Sequence, residues 1–238
     1  MKLVKRIYLF LAGIVIFAFV SLEGYYHYSA LHLDPQKIQN DTLSSQVVFD
    51  ALWVSLGESG DIRFESITAT EYALKFLYTT NSDHPRYIKT SNAGLLLASQ
   101  VSRLLALNSP KLRDRGHIAG VVTTIWLSRN SEVFQLLEFV ARKSYFGHNH
   151  FGLDAASEYY FEKRASELNS NEVVSLISII RSPSMYDPHC HPQRFKERAL
   201  KIFYQLQVNW PDKYAAETYT TPIFEIMSGK ECSQNHKN

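Results

Sequence analysis

Lys2, Lys5 and Arg6 precede an uncharged, apolar run from Ile7 to Leu22, and Tyr25, Tyr26 and Tyr28 follow it. Nothing else in the chain limits its folding so strongly. Sixteen residues fall slightly short of the ~20 that cross a bilayer as a helix. Flanking side chains extend such a run, with basic residues snorkelling on one side and aromatics settling at the other interface. The rival reading is a cleaved secretory signal. Phe19, Val20, Ser21 and Leu22 offer no small-x-small pair for cleavage, which favours a retained single-pass anchor. Either way the basic residues stay inside, and the rest of the chain is expected outside the cytoplasm.

The chain has 238 residues, 45% hydrophobic and 20% charged, the balance of a folded protein rather than a disordered one. That length suits one large domain with attachments. A net charge of +2 excludes the dense basic face of a nucleic-acid binder. Cys190 and Cys232 are the only cysteines. In an oxidising compartment they can form one bridge, or both can remain free; spacing does not decide.

Residues 29 to 44 carry Pro35 and no sustained periodicity, so they read as a connector between an anchor over 1–28 and a domain over 45–210. A polar, unstructured tail is expected over 211–238. From about Val47 the apolar spacing is helical, through Tyr72–Tyr78, Leu95–Leu107, Ile118–Leu127, Glu132–Ala141, Leu153–Phe161, Ser170–Ile180 and Gln193–Leu206. Ser128, Asn130 and Ser131 are candidate caps for the helix starting at Glu132. Asn169 to Glu172 reads as a helix start and Ser182-Pro183 as its stop. No alternating strand and no glycine-rich phosphate loop are evident. The class is mainly α.

The most distinctive stretch begins Tyr145-Phe146-Gly147. It continues with Phe151-Gly152-Leu153-Asp154-Ala155-Ala156 and Tyr160-Phe161-Glu162-Lys163. Leu168 and Glu172 follow, then Pro183, Tyr186, Pro188 and Arg198. This order and spacing resemble the second half of the family 51 peptidoglycan glycosyltransferases. These comprise the monofunctional biosynthetic transglycosylases and the glycosyltransferase domains of bifunctional penicillin-binding proteins. The resemblance implies a lysozyme-like glycosyltransferase domain behind an N-terminal transmembrane helix in the inner membrane.

Upstream the likeness thins. The family's hydroxyl-rich Gly-Gly-Ser-Thr-Ile-Thr-Gln-Gln-x-x-Lys falls on Gly94 to Arg103, where leucines and an alanine replace the hydroxyls. Gln100 takes the second Gln and Arg103 the Lys; an apolar amphipathic helix is the alternative reading of this segment. Glu58 can take the place of the family's first catalytic Glu, with Ser59, Ile62 and Glu65 replacing its Asp, Phe and His, and with Lys75 on an Arg position. The family's Arg-Lys-x-x-Glu falls within Leu112 to Gly120, where no glutamate exists and Asp114 is the only acid. Arg142 stands where the family has Asn.

The family's reaction extends a glycan with a lipid-linked disaccharide and expels a lipid pyrophosphate. A carboxylate must take the proton of the attacking hydroxyl, and cations must neutralise the departing pyrophosphate. The resemblance leaves Glu58 as the candidate catalytic base. Lys75, Gln100, Arg103, Arg113 and Arg115 are the candidate substrate-binding residues. No cofactor is certain, and Mg or Mn would be expected only with activity. His148, His150, His189 and His191 with Cys190 lack a zinc-site spacing and read as loop residues. Three functions remain open. The chain polymerises or at least binds lipid-linked precursor or glycan strand; it is a non-catalytic scaffold that keeps the fold; or, more remotely, it is a lytic transglycosylase. The expected partners are precursor or glycan, the membrane and other cell-wall synthesis proteins, but not nucleic acid.

Overall fold

The computed structural model describes residues 2–33, 44–80, 92–114 and 116–220. In chain order its helices are α1 Lys2–Leu33, α2 Gln46–Ser55, α3 Ala69–Thr80, α4 Leu95–Asn108, α5 Pro110–Arg113 and α6 Gly116–Asn130. They continue with α7 Val133–Lys143, α8 Leu153–Phe161, α9 Ser170–Ile179, α10 Pro192–Asn209 and α11 Pro211–Tyr214. The described residues contain no strand, only an isolated bridge between Tyr145 and Phe151, so the mainly α class holds. Two compact units arise, one from Met1–Lys37 with Phe64–Ser131 and one from Ile38–Arg63 with Glu132–Asn238.

The first unit is built from α1, α3, α4, α5 and α6. A capping box starts α3. The Thr68 hydroxyl accepts the Glu71 N–H at 3.0 Å, and the Glu71 carboxylate accepts the Thr68 N–H at 2.8 Å. These contacts hold the Glu71 carboxyl below its ordinary range, the Thr68 backbone N–H being the leading cause. Gly94 opens α4 with φ of 84°, a conformation only glycine adopts cheaply. The core joins Tyr26, Ile67, Ala69, Leu95, Ala119, Val122 and Ile125.

Over Ala12–Leu31, α1 is long and apolar enough to cross a membrane, and most of its side chains up to Leu22 are exposed. From Glu23 onward it becomes part of the first unit. The Glu23 carboxylate accepts the Ala69 N–H at 2.7 Å and pairs with the Arg129 guanidinium at 3.3 Å. Arg129 also lies 4.5 Å above the Tyr26 ring and donates to the Ile67 carbonyl. Glu23, Tyr26 and Ala30 share one helical face, and that face is the one buried. The apolar helix therefore enters the unit without a break and runs through Leu33, where a connector was expected to have begun at 29. Residues 34–43 lie outside the described residues.

In the second unit, α2 is buried from Val48 to Val54 and packs on α7, α9 and α10. Asp50, fully buried, accepts hydrogen bonds from the Tyr214 hydroxyl at 2.7 Å and the Gln46 amide at 2.8 Å, with Lys213 at 3.3 Å. Through these bonds α11 docks on α2. Pro211–Tyr214 is thus helical with Tyr214 buried, where an unstructured tail was expected; residues 221–238 are outside the described residues. Ser128 and Asn130 belong to α6 and donate back to Ile125 and Trp126 carbonyls, rather than capping α7. Asn169 and Glu172 form the expected reciprocal cap of α9.

Candidate functional site

The residues that carry the family likeness in the second unit hold structure. Gly152 has φ of 84°, and a Cβ there would stand 2.8 Å from the Arg142 carbonyl oxygen, so no other residue fits. Gly147 is also left-handed and passes close to Tyr160 and Pro183. The Tyr160 hydroxyl donates to the Phe146 carbonyl at 2.9 Å, and burial pushes its pKa far above the usual phenol. Lys163 binds Glu172 at 2.5 Å. Arg198 donates to the carbonyls of Ser178 and Ser55 and lies 5.1 Å from the Tyr186 ring. Each of these groups is consumed in closing a loop or joining two helices.

The loop histidines behave likewise. His148 bonds Asp187 at 2.8 Å, His150 stacks on Tyr159 at 4.1 Å, and Asp187 also accepts the His189 N–H. Among the described residues no group of three His, Cys, Asp or Glu side chains is placed to hold a metal ion. There is no free cysteine among them either; Cys232 lies outside the described residues.

The candidate site residues divide between the units. Glu58 follows α2 in the second unit, where its N–H donates to the Trp53 carbonyl at 3.2 Å and its side chain is buried, 7% exposed. Lys75, Gln100, Arg103 and Arg113 belong to the first. Lys75 hydrogen-bonds the Asn92 side chain. Gln100 accepts a hydrogen bond from Arg103 at 2.9 Å, so two predicted binding residues act as one group. Arg115 lies outside the described residues.

Arg103 and Arg113 both line a cavity of about 980 Å³ in the first unit. Its walls come from the end of the apolar run (Leu22, Tyr25 and Tyr26), from α3 (Tyr72 and Phe76), and from α4 and α6. Burial raises the Tyr72 pKa above that of an ordinary phenol. His117 and the hydroxyls of Ser99, Ser102 and Thr124 add polar points, and among the described residues no carboxylate lines the cavity. Two fixed positive charges beside apolar walls suit an amphiphile with an anionic head. Leu95 and Leu97, on the segment where the family carries hydroxyls, are buried, and Leu95 packs in the core of this unit. That segment is accordingly a core helix, and only Gln100 and Arg103 on it carry polar groups of the expected kind. The sequence marks Tyr25 and Tyr26 only as interfacial aromatics and Tyr72 only as a helical position, and gives His117 no role.

Residues 89–207 match the family described as Transglycosylase. Glu58 and Lys75 precede this segment. The chain is 30% identical over 186 residues to a biosynthetic peptidoglycan transglycosylase of Haemophilus influenzae, covering 74% of this chain and 75% of that protein. It is 41% identical over 78 residues to penicillin-binding protein 1F of Bacillus subtilis, covering 33% of this chain and 11% of that longer protein. Penicillin-binding protein 1A of Aquifex aeolicus is 27% identical over 105 residues, 44% of this chain and 14% of the relative. Shared length with the Haemophilus protein and a family match over half the chain agree with the motif spacing: the chain belongs to the transglycosylase family.

Proposed function

We propose that this is a peptidoglycan glycosyltransferase-like protein, anchored in the inner membrane by α1, that binds lipid-linked disaccharide precursor or nascent glycan on the extracytoplasmic side. The supporting observation is the pairing of Arg103 and Arg113 with one apolar cavity beside the anchor helix in a chain of this family. A lipid pyrophosphate presents that combination, charge joined to hydrocarbon. Arg meets phosphate oxygens with two parallel donors, and Gln100 holds the Arg103 guanidinium in place.

Binding is favoured over turnover by what stands on the chemistry-bearing segments. The stretch from Leu112 to Gly120 supplies Asp114, exposed at the end of α5, and no glutamate. Loss of one charge-stabilising group costs about a hundredfold to a thousandfold in rate. Turnover is the second reading, and the burial of Glu58 favours it, because an enclosed site keeps water from competing with the sugar hydroxyl. In that reaction the Glu58 carboxylate takes the proton of the attacking hydroxyl. The new glycosidic bond forms at the anomeric carbon, and the lipid pyrophosphate leaves. Full-length protein, wild type and Glu58→Gln, is incubated with labelled precursor and Mg²⁺ or Mn²⁺ and examined for polymer and for bound precursor. Bound precursor without polymer is the expected result. Polymer that disappears in the variant establishes the transferase; neither polymer nor binding rejects both readings.

A further inference from the structure

A cavity of about 980 Å³ with mostly apolar walls is at the upper end of small-ligand sites. Water finds too few partners in such a space to be well held there. Its wall at Leu22, Tyr25 and Tyr26 is the anchor helix itself, at the point where the apolar run ends. Tyrosines at that point mark the level of lipid headgroups. A lipid can therefore pass from the leaflet into the cavity by moving along α1, without crossing water. Phe76 and Ile118, both exposed, add apolar surface to its lining. With Arg103 and Arg113 present and no carboxylate among its described lining residues, the cavity selects a negative headgroup.

We infer that an anionic membrane phospholipid occupies this cavity, one acyl chain between α1, α3, α4 and α6 and its phosphate at Arg103 and Arg113. Phospholipid is the occupant because one wall of the cavity is the helix that the proposed function places in the bilayer, where that amphiphile is in large excess. Resting on the function proposed above, the site is then regulated by exchange: the precursor's pyrophosphate must displace the phospholipid headgroup from the same two arginines.

The test uses full-length protein extracted from membranes in mild detergent, with native mass spectrometry and phosphorus analysis of retained lipid. Wild type is expected to keep about one anionic phospholipid per chain and to release it when precursor is added. Ala73→Trp, which fills the cavity from α3, should lose that lipid. The paired change Arg103→Gln and Arg113→Gln alters exposed side chains and so spares the fold. It should reduce the preference for anionic over zwitterionic lipid by about 30-fold, ~5-fold for each arginine. Absence of retained lipid in wild type, or equal retention by the arginine pair variant and wild type, overturns the inference. Retained phospholipid that precursor neither displaces nor accompanies leaves the inference standing and refutes the proposed precursor binding instead.

Discussion

The two units differ in what their distinctive residues do. In the second, glycines, Tyr160, Lys163, Glu172 and Arg198 are committed to internal bonds, and the family spacing is preserved from Tyr145 onward. In the first, the segment that carries hydroxyls in the family has become a core helix, and Ser99, Gln100 and Arg103 are the polar groups left on its outer side. A fold constrains a left-handed glycine or a buried hydrogen bond in every descendant, because each loss costs stability directly. Catalytic groups are held only while turnover is selected. The chain keeps the family spacing where the matching residues are structural, and differs from it most over Gly94–Arg103 and Leu112–Gly120.

The contrast can be broken at several points. The largest effect is expected at Gly152. Alanine there combines a left-handed backbone with a 2.8 Å approach to the Arg142 carbonyl, and should destabilise the protein by about 4 kcal/mol in chemical denaturation. Retained stability would mean that the glycine is not structurally required. Leu95→Ser, which puts back a hydroxyl that the family carries on α4, should cost about 3 kcal/mol because Leu95 is buried in the core of the unit. A cost near zero would show that α4 is still a tolerant binding helix. Glu23→Gln should lower stability by ~1–2 kcal/mol, since the Arg129 guanidinium loses its charge partner in a half-buried setting. If urea unfolding is unchanged, α1 is not an integral part of the first unit.

The smallest effect at neutral pH concerns tyrosines of the second unit. Burial raises the pKa of Tyr160 and of Tyr214 well above the ordinary 10.0, and the Asp50 carboxylate pushes Tyr214 further. Both phenols keep their protons in the folded state at pH values where the unfolded chain has released them. Their contribution is thus complete below about pH 10 and is lost as pH rises from there toward the folded-state values. Tyr214→Phe should cost about 1 kcal/mol at pH 7 and flatten the alkaline loss in pH-dependent unfolding. A variant with the same alkaline slope as wild type would remove Tyr214 from that account.

Much of the fold was legible because the signals were local. The three- and four-residue spacing marked the helices, and the Asn169–Glu172 cap announced the start of α9. Local signals failed where tertiary partners intervene. Nothing near Glu23 reveals a pairing with Arg129, 106 residues away, so the end of the anchor was placed too early. Ser128 and Asn130 look like caps but bond back into the helix they belong to, and α6 runs to Asn130, past the expected end at Leu127. The cavity was not legible at all: its walls come from separate helices and appear only after folding. Sequence did give the cations, since Arg103 and Arg113 were identified by position in a pattern. It could not show that both line one apolar space.

The most direct test is the affinity of full-length protein, reconstituted in nanodiscs, for lipid-linked disaccharide precursor, measured for wild type and for Arg103→Gln with Arg113→Gln. Retained recognition at these two arginines predicts binding by wild type and at least ~30-fold weaker binding by the variant, with an unchanged unfolding midpoint. Equal affinity of the two proteins, or no binding by wild type, would contradict it.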